Sequence, residues 1–236
     1  MNSNGDALAV AGDLWRFAEL AYEPKSTVER ELGRSVDWFY AGIGGMGDDA
    51  YIANYGAYAV LAFAGSNDGL DWLLNGVALK DRSGVHIGFD VLLKEYAYDV
   101  VMALQKLQVG TVFVVGHSLG GAKAQLMARK YLGGFAGEVV CVAYGAPRVA
   151  SAKFFKARRE QVGVRTIRVD YGDDVVPHLP PARWGFRHDG ELVRVGPRLK
   201  WWQKARLVYR AYKARKGGDL PWWEHHRFGY SREFGH

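Results

Sequence analysis

Val112-Phe113-Val114-Val115-Gly116-His117-Ser118-Leu119-Gly120-Gly121 is the stretch whose reading decides the fold. The four apolar residues, three of them β-branched, read as a strand buried on both faces. From Ala122 to Leu132 the pattern reads as a helix. A chain that turns from strand to helix within three residues has no room for side chains beside the apex, and Gly116 and Gly120 stand two positions either side of it. The apex itself is Ser118. Such a turn lifts a hydroxyl clear of the sheet edge, where a base can reach it. The backbone N–H of Leu119 then opens the helix and points at a developing oxyanion. In a chain with 30 glycines the pentapeptide is weak alone, and the flanking strand and helix give it its weight.

Outward from this turn, strands and helices alternate. Residues 7–22 have the spacing of an amphipathic helix, and Ser26-Thr27-Val28-Glu29 offers a capping box for a second. Residues 50–55 and 57–64 read as strands around Gly56. A long helix spans 89–107, with apolar residues at 89, 92, 93, 96, 100, 104 and 107. Beyond the serine come a strand at 138–144, a Gly145-Ala146-Pro147 break, a helix at 151–161 and a strand at 164–170. Residues 184–195 read as a hairpin turning at Asp189-Gly190. The expected fold is α/β: a mostly parallel central sheet with helices on both faces and antiparallel additions at its ends, in a single domain over 1–236.

Composition narrows the class. Half-apolar content (49%) with 14% aromatics supplies a core. No 18-residue apolar run spans a membrane, and Met1-Asn2-Ser3-Asn4-Gly5-Asp6 has no basic region of the kind that opens a signal peptide. The lone Cys141 sits in a strand-like run as a buried thiol, so no intrachain disulfide is possible. Together these lead to the expectation of a cytoplasmic protein. The net charge of +6 is uneven: from Arg183 onward 13 Lys/Arg face five Asp/Glu, whereas the preceding residues carry 18 against 20. The basic excess belongs to the C-terminal quarter.

A serine hydroxyl needs a base, and the base needs an orienting carboxylate. Asp174, just past the strand at 164–170, is the best-placed acid, with Asp173 and Asp170 as neighbours. Of the later histidines, His178 sits between prolines too near Asp174, and His188 falls within the expected hairpin. His225 and His226 remain as candidate bases. No ligand cluster with metal spacing is visible, and the chemistry requires no cofactor.

Several segments taken in order resemble the class 3 (fungal-type) triacylglycerol lipases, an α/β-hydrolase group. Ala62-Phe63-Ala64-Gly65-Ser66 followed by Asp71-Trp72-Leu73 is similar to the family's oxyanion strand and the segment after it. Val85-His86-Ile87-Gly88-Phe89 resembles its H-x-G-F motif, and residues 116–121 its serine turn. Tyr144 to Val149 resembles F-G-x-P-R-V, and Asp174 to Pro181 resembles the acid loop. Phe186 to Gly190 is similar to the strand that follows, whose histidine is not catalytic. The resemblance implies Ser118 as nucleophile, Asp174 as acid, and Ser66 with the Leu119 N–H as oxyanion hole. The family's terminal motif places an acid before the histidine and a tyrosine five positions after it. Glu224-His225 with Tyr230 fits that spacing, so the resemblance implies His225 as base with His226 as the alternative. His86 and His117 belong to family motifs as packing or positioning residues. Arginine often stands in the family where this chain has Ala64, and threonine where it has Ser66.

The implied activity is hydrolysis of lipid esters through an acyl-enzyme. Phospholipase or acyltransferase activity with the same triad is the alternative within the class, and a catalytically silent lipid-binding module the alternative outside it. Expected partners are a lipid or small ester substrate and no nucleic acid. The resemblance places a lid in residues 69–74; the same residues also suit the wall of an acyl pocket, or, for Trp72, Leu73 and Leu74, the core. In 198–216, Trp201, Ala205, Val208 and Tyr212 share one helical stripe among five cations. That stripe suits either packing on the sheet or peripheral contact with an anionic membrane or lipid interface.

Overall fold

The computed structural model describes residues 3–41, 48–65, 79–158, 163–172, 174–197, 200 and 229–234. Its frame is a seven-stranded sheet ordered β1-β2-β3-β4-β5-β7-β9. The strands are β1 (Asp37–Ala41), β2 (Asp48–Asn54), β3 (Tyr58–Phe63), β4 (Thr111–His117), β5 (Glu138–Tyr144), β7 (Val164–Tyr171) and β9 (Glu191–Val195). β1, β2 and β3 pair antiparallel, and the five strands from β3 to β9 run parallel. The expected mostly parallel sheet with antiparallel additions is therefore present. The antiparallel part includes β1, an aromatic edge strand that the sequence reading missed.

Period-two alternation sends each central strand to two different cores. Ala59, Leu61 and Phe63 of β3, Val112 and Val114 of β4, and Val139 and Cys141 of β5 face one side. There they pack with α3 (Ile87–Leu107) and α4 (Leu119–Leu126), through Phe89, Leu93, Val100, Ala122 and Leu126. Val60, Ala62, Val115, Val142, Tyr144, Ile167 and Val169 face the other side, which α1 (Ser3–Leu20) covers with Ala11, Leu14, Trp15 and Ala18. Two-sided burial explains the unbroken apolar runs of β3, β4 and β5. Trp15, 1% exposed, lies edge-on to Tyr144 with centroids 4.9 Å apart. No helix among the described residues is long and apolar enough to cross a membrane.

Local signals set these elements, and several boundaries shift where distant contacts intervene. α2 (Lys25–Leu32) is capped at Pro24 without a side-chain bond, so the expected capping box does not form. Glu29 instead turns its carboxylate to the backbone N–H of Val36, 3.1 Å away, and so positions the entry to β1. α4 continues into a π-helical turn, Met127–Tyr131, where a regular helix was expected. The helix expected at 151–161 is short, α5 at Ala152–Lys156, started by the Ser151 hydroxyl accepting from Phe154 N.

Residues 184–195 do not form a hairpin. β8 (Phe186–Arg187) pairs with β6 (Ala150–Ser151) in a separate ribbon, whereas β9 joins the main sheet parallel to β7. The Asp189-Gly190 turn exists, with Gly190 at φ +79°. A buried ion pair, Arg129 Nε to Asp189 Oδ2 at 2.7 Å, ties it to the end of the α4 extension instead of letting β9 fold back on β8. That partner lies 60 residues away and no local pattern announces it.

Two histidines, the buried His86 and the half-buried His188, hold loop segments in place. His86 starts α3 and stacks on Phe89 with centroids 4.2 Å apart; burial lowers its pKa to about 4. His188 holds the Pro177 carbonyl through Nε2 at 2.7 Å. Burial, then the charge of Arg168, lowers its pKa to about 3, with Arg148 and His178 adding to the effect.

Removing one member of the Arg129–Asp189 pair strands the other charge in the interior. Asp189→Ala is expected to lower unfolding free energy by about 3 kcal/mol in urea titrations. An unchanged midpoint would show that the pair does not hold β9. Both histidines stay neutral in the folded chain at pH values where the unfolded chain already binds protons. Their contribution to stability is therefore complete above the ordinary histidine pKa of about 6.5 and declines as pH falls from there, toward about 4 for His86 and about 3 for His188. Denaturant midpoints at pH 7 and 4.5 should differ less in His188→Gln than in the unaltered chain.

Candidate active site

Ser118 follows the last residue of β4 and precedes the first of α4, with φ +56° and ψ −121°. A positive φ is uncommon for a residue with a side chain and has to be imposed by its surroundings. The imposing contacts are backbone ones. Ser118 N donates to Tyr144 O on β5 at 2.9 Å, and Ala122 N donates back to Ser118 O at 3.1 Å. A Cβ at Gly116 would collide with the Gly120 backbone, and one at Gly120 with the Phe63 carbonyl of β3. The helix therefore starts in contact with strands on both sides of β4. From Val114 through Arg129 every residue is buried except Ser118, which is partly exposed.

Leu119 opens α4, where first-turn N–H groups have no partner within the helix and carry its positive end. The N-terminus of α4 therefore meets whatever is bound to Ser118. An oxygen acquiring negative charge there is favoured by position alone.

Asp174 lies three residues past the end of β7, at the same edge of the parallel strands as Ser118. It is 6% exposed, and both carboxylate oxygens have donors. Oδ1 accepts from Val176 N at 2.8 Å, and Oδ2 accepts from the Tyr230 hydroxyl at 2.8 Å. Tyr230 is wholly buried in the helical residues 229–234, and its oxygen accepts from Tyr171 N at 2.8 Å. Burial, then the Asp174 charge, pushes its phenol far above the ordinary range, so it stays a neutral donor. Tyr230 entered the sequence reading only as a spacing marker. The structure makes it the side chain that fixes the plane of the Asp174 carboxylate. Its neighbour Ser231 donates to Glu19 on α1 at 2.6 Å, which anchors the segment from the other side.

The other acids and histidines sort accordingly. Asp170 lies 3.6 Å from Arg168, and Asp173 is outside the described residues. His178 closes a short 3-10 turn, and its carbonyl accepts from Arg148, as does that of Pro180. The acid loop is thus held by Arg148 of the Tyr144–Val149 motif. His117 is buried on the α1 side, with Nδ1 2.7 Å from the Tyr22 hydroxyl. Ser66, His225, His226, residues 69–74 and all of 198–216 except Lys200 lie outside the described residues. Of the expected site, the structure thus places Ser118, Leu119 and Asp174 at one sheet edge.

The family model for class 3 lipases matches residues 60–184. A secreted mono- and diacylglycerol lipase of Fusarium solani is 35% identical over 156 residues, 60% of this chain and 46% of that protein. The chain spans less than half the length of that relative. A lipase structure from Rhizopus microsporus var. chinensis superposes with a TM-score of 0.67, covering 79% of this chain and 75% of the other at 22% identity. A triacylglycerol lipase described as having a serine protease triad as its catalytic centre superposes with a TM-score of 0.59. It is 25% identical, over 68% of this chain and 66% of its own.

These findings overturn the cytoplasmic expectation, because the Fusarium relative is named as secreted. That expectation rested on the N-terminal residues and on a single cysteine. A buried thiol at Cys141, its pKa raised by burial to about 12, is inert in any compartment and carries no information about location. The matched segment runs from β3 through the serine turn to the acid loop, more than half of the chain, and the superposed lipases share its α/β-hydrolase frame: this protein belongs to the class 3 lipase family.

Proposed function

We propose that the protein hydrolyses carboxylic esters of lipids, acylglycerols first among them, through an acyl-enzyme on Ser118. The observation that carries this reading is the conformation of Ser118. It is the one partly exposed residue in a buried run, at φ +56°, directly before a helix N-terminus. Support for the substrate class comes from the acylglycerol relative, and support for the chemistry from the lipase with a serine protease triad. The secreted relative supports action outside the cell.

In this reading Ser118 Oγ attacks the acyl carbonyl carbon as His225 takes the hydroxyl proton. Asp174, held by Tyr230 and Val176 N, orients the imidazole and stabilises its cation. The Leu119 N–H and Ser66 receive the negative charge that develops on the carbonyl oxygen. Collapse of the tetrahedral species expels the alkoxide, which leaves as the alcohol with the proton from His225. Water then repeats the sequence on the acyl-serine and releases the carboxylic acid.

Hydrolysis of p-nitrophenyl esters from C2 to C16 tests this directly. Ser118→Ala is expected to abolish turnover at every chain length. Asp174→Asn is expected to reduce kcat by about 10⁴, the loss seen when a triad carboxylate is neutralised. Unchanged rates in Ser118→Ala would end the proposal.

A further inference from the structure

We propose that Tyr22 and His117 form a positioning couple that locks the turn carrying Ser118 to the strand end leading to Ser66. The inference rests on the function proposed above and adds two residues that do not touch the reacting atoms.

Tyr22 stands two residues past the end of α1, and its hydroxyl reaches the active-site edge from the α1 side. The hydroxyl lies 2.7 Å from His117 Nδ1 and 3.5 Å from the His117 carbonyl. It also packs on Gly65 so closely that a Cβ there would collide with it. Gly65 and His117 are the residues immediately before Ser66 and Ser118. One phenol oxygen therefore bears on both chain segments that present the proposed oxyanion donors and nucleophile.

The imidazole extends the same contact. His117 alternates with Gly116 on β4 and so shares the α1 face with Val115, away from the α4 side of the sheet. Trp15 meets it edge-on at 5.7 Å between centroids, and Tyr230 does so at 5.4 Å. Tyr230 in turn donates to Asp174. Segments next to the proposed nucleophile and the proposed acid thus meet at this buried ring, and Tyr22 links it to Gly65. This placement makes His117 a support for the turn and removes it from the path of the Ser118 proton.

A couple of this kind acts on alignment. Losing it lets the Ser118 turn and the chain at Gly65 drift relative to each other by fractions of an ångström, which lowers transition-state stabilisation more than substrate binding. The closing experiment compares Tyr22→Phe, His117→Leu, His117→Asn and Ser118→Ala with the unaltered chain. Asparagine can return a hydrogen-bonding group to the place of Nδ1. The readouts are kcat and KM on p-nitrophenyl butyrate, melting temperature, and the rate of covalent inactivation by a p-nitrophenyl alkylphosphonate.

Tyr22→Phe and His117→Leu are expected to lower kcat and the phosphonylation rate about tenfold together, with KM within about twofold. Melting temperature in Tyr22→Phe should stay near that of the unaltered chain, and His117→Asn should recover most of the lost rate. Full kcat in Tyr22→Phe alongside an inactive Ser118→Ala would overturn the couple and leave the proposed function standing. A kcat loss that follows melting temperature, with no recovery in His117→Asn, would overturn it as well. Activity retained in Ser118→Ala would remove the proposed function and the couple with it.

Discussion

The contact that governs this molecule is the approach of α4 to the carbonyl of Phe63 on β3, made possible by the bare Cα of Gly120. A helix cannot begin so near the ends of two strands unless its first turn lacks side chains on the strand-facing side. Once it does, the residue at the apex has no choice of conformation, and Ser118 takes a positive φ. The energy of that strained residue is offset by the surrounding burial, since nearly every side chain from Val114 to Arg129 is inside.

Around this contact the two faces of the sheet do different work. The α3 and α4 side mixes aliphatic and aromatic side chains: Leu, Val and Ala pack between the parallel strands alongside Phe63, Phe89, Tyr96, Phe154 and Phe155. The α1 side is aromatic beneath the active-site edge: Trp15, Tyr144, Tyr230, Phe234 and His117 form one cluster of edge-on and stacked rings. Rings with polar tips suit a surface that must also hold specific ring, backbone and carboxylate positions by hydrogen bonds, as Tyr22 and Tyr230 do.

What was legible in the sequence was whatever is encoded locally. The parallel strands announce themselves as apolar runs because both of their faces are buried, and the serine turn because its glycines have no substitute. The features that were not legible depend on partners far along the chain. Asp189-Gly190 carries a good local turn signal, but the Arg129 charge decides which sheet the following strand joins. Glu29 has the spacing of a capping residue, but a nearby unsatisfied N–H at Val36 claims it. The site divides in the same way. Ser118 and Asp174 follow strand ends and are readable from motif and order. Tyr22, at the end of an unremarkable amphipathic helix, becomes visible only when α1 is laid across the sheet.

The bond between Tyr230 and Asp174 spans 56 residues and has a consequence for how the molecule comes into being. Tyr230 lies beyond β9 in the chain, so every strand of the sheet is made before the hydroxyl that donates to Asp174. Proteolytic nicking that released the segment bearing Tyr230 would take a wholly buried ring out of the α1-side core as well as a donor from Asp174. The ring that aligns the acid is thus also part of the core, and the geometry at the sheet edge is complete only when that ring has docked.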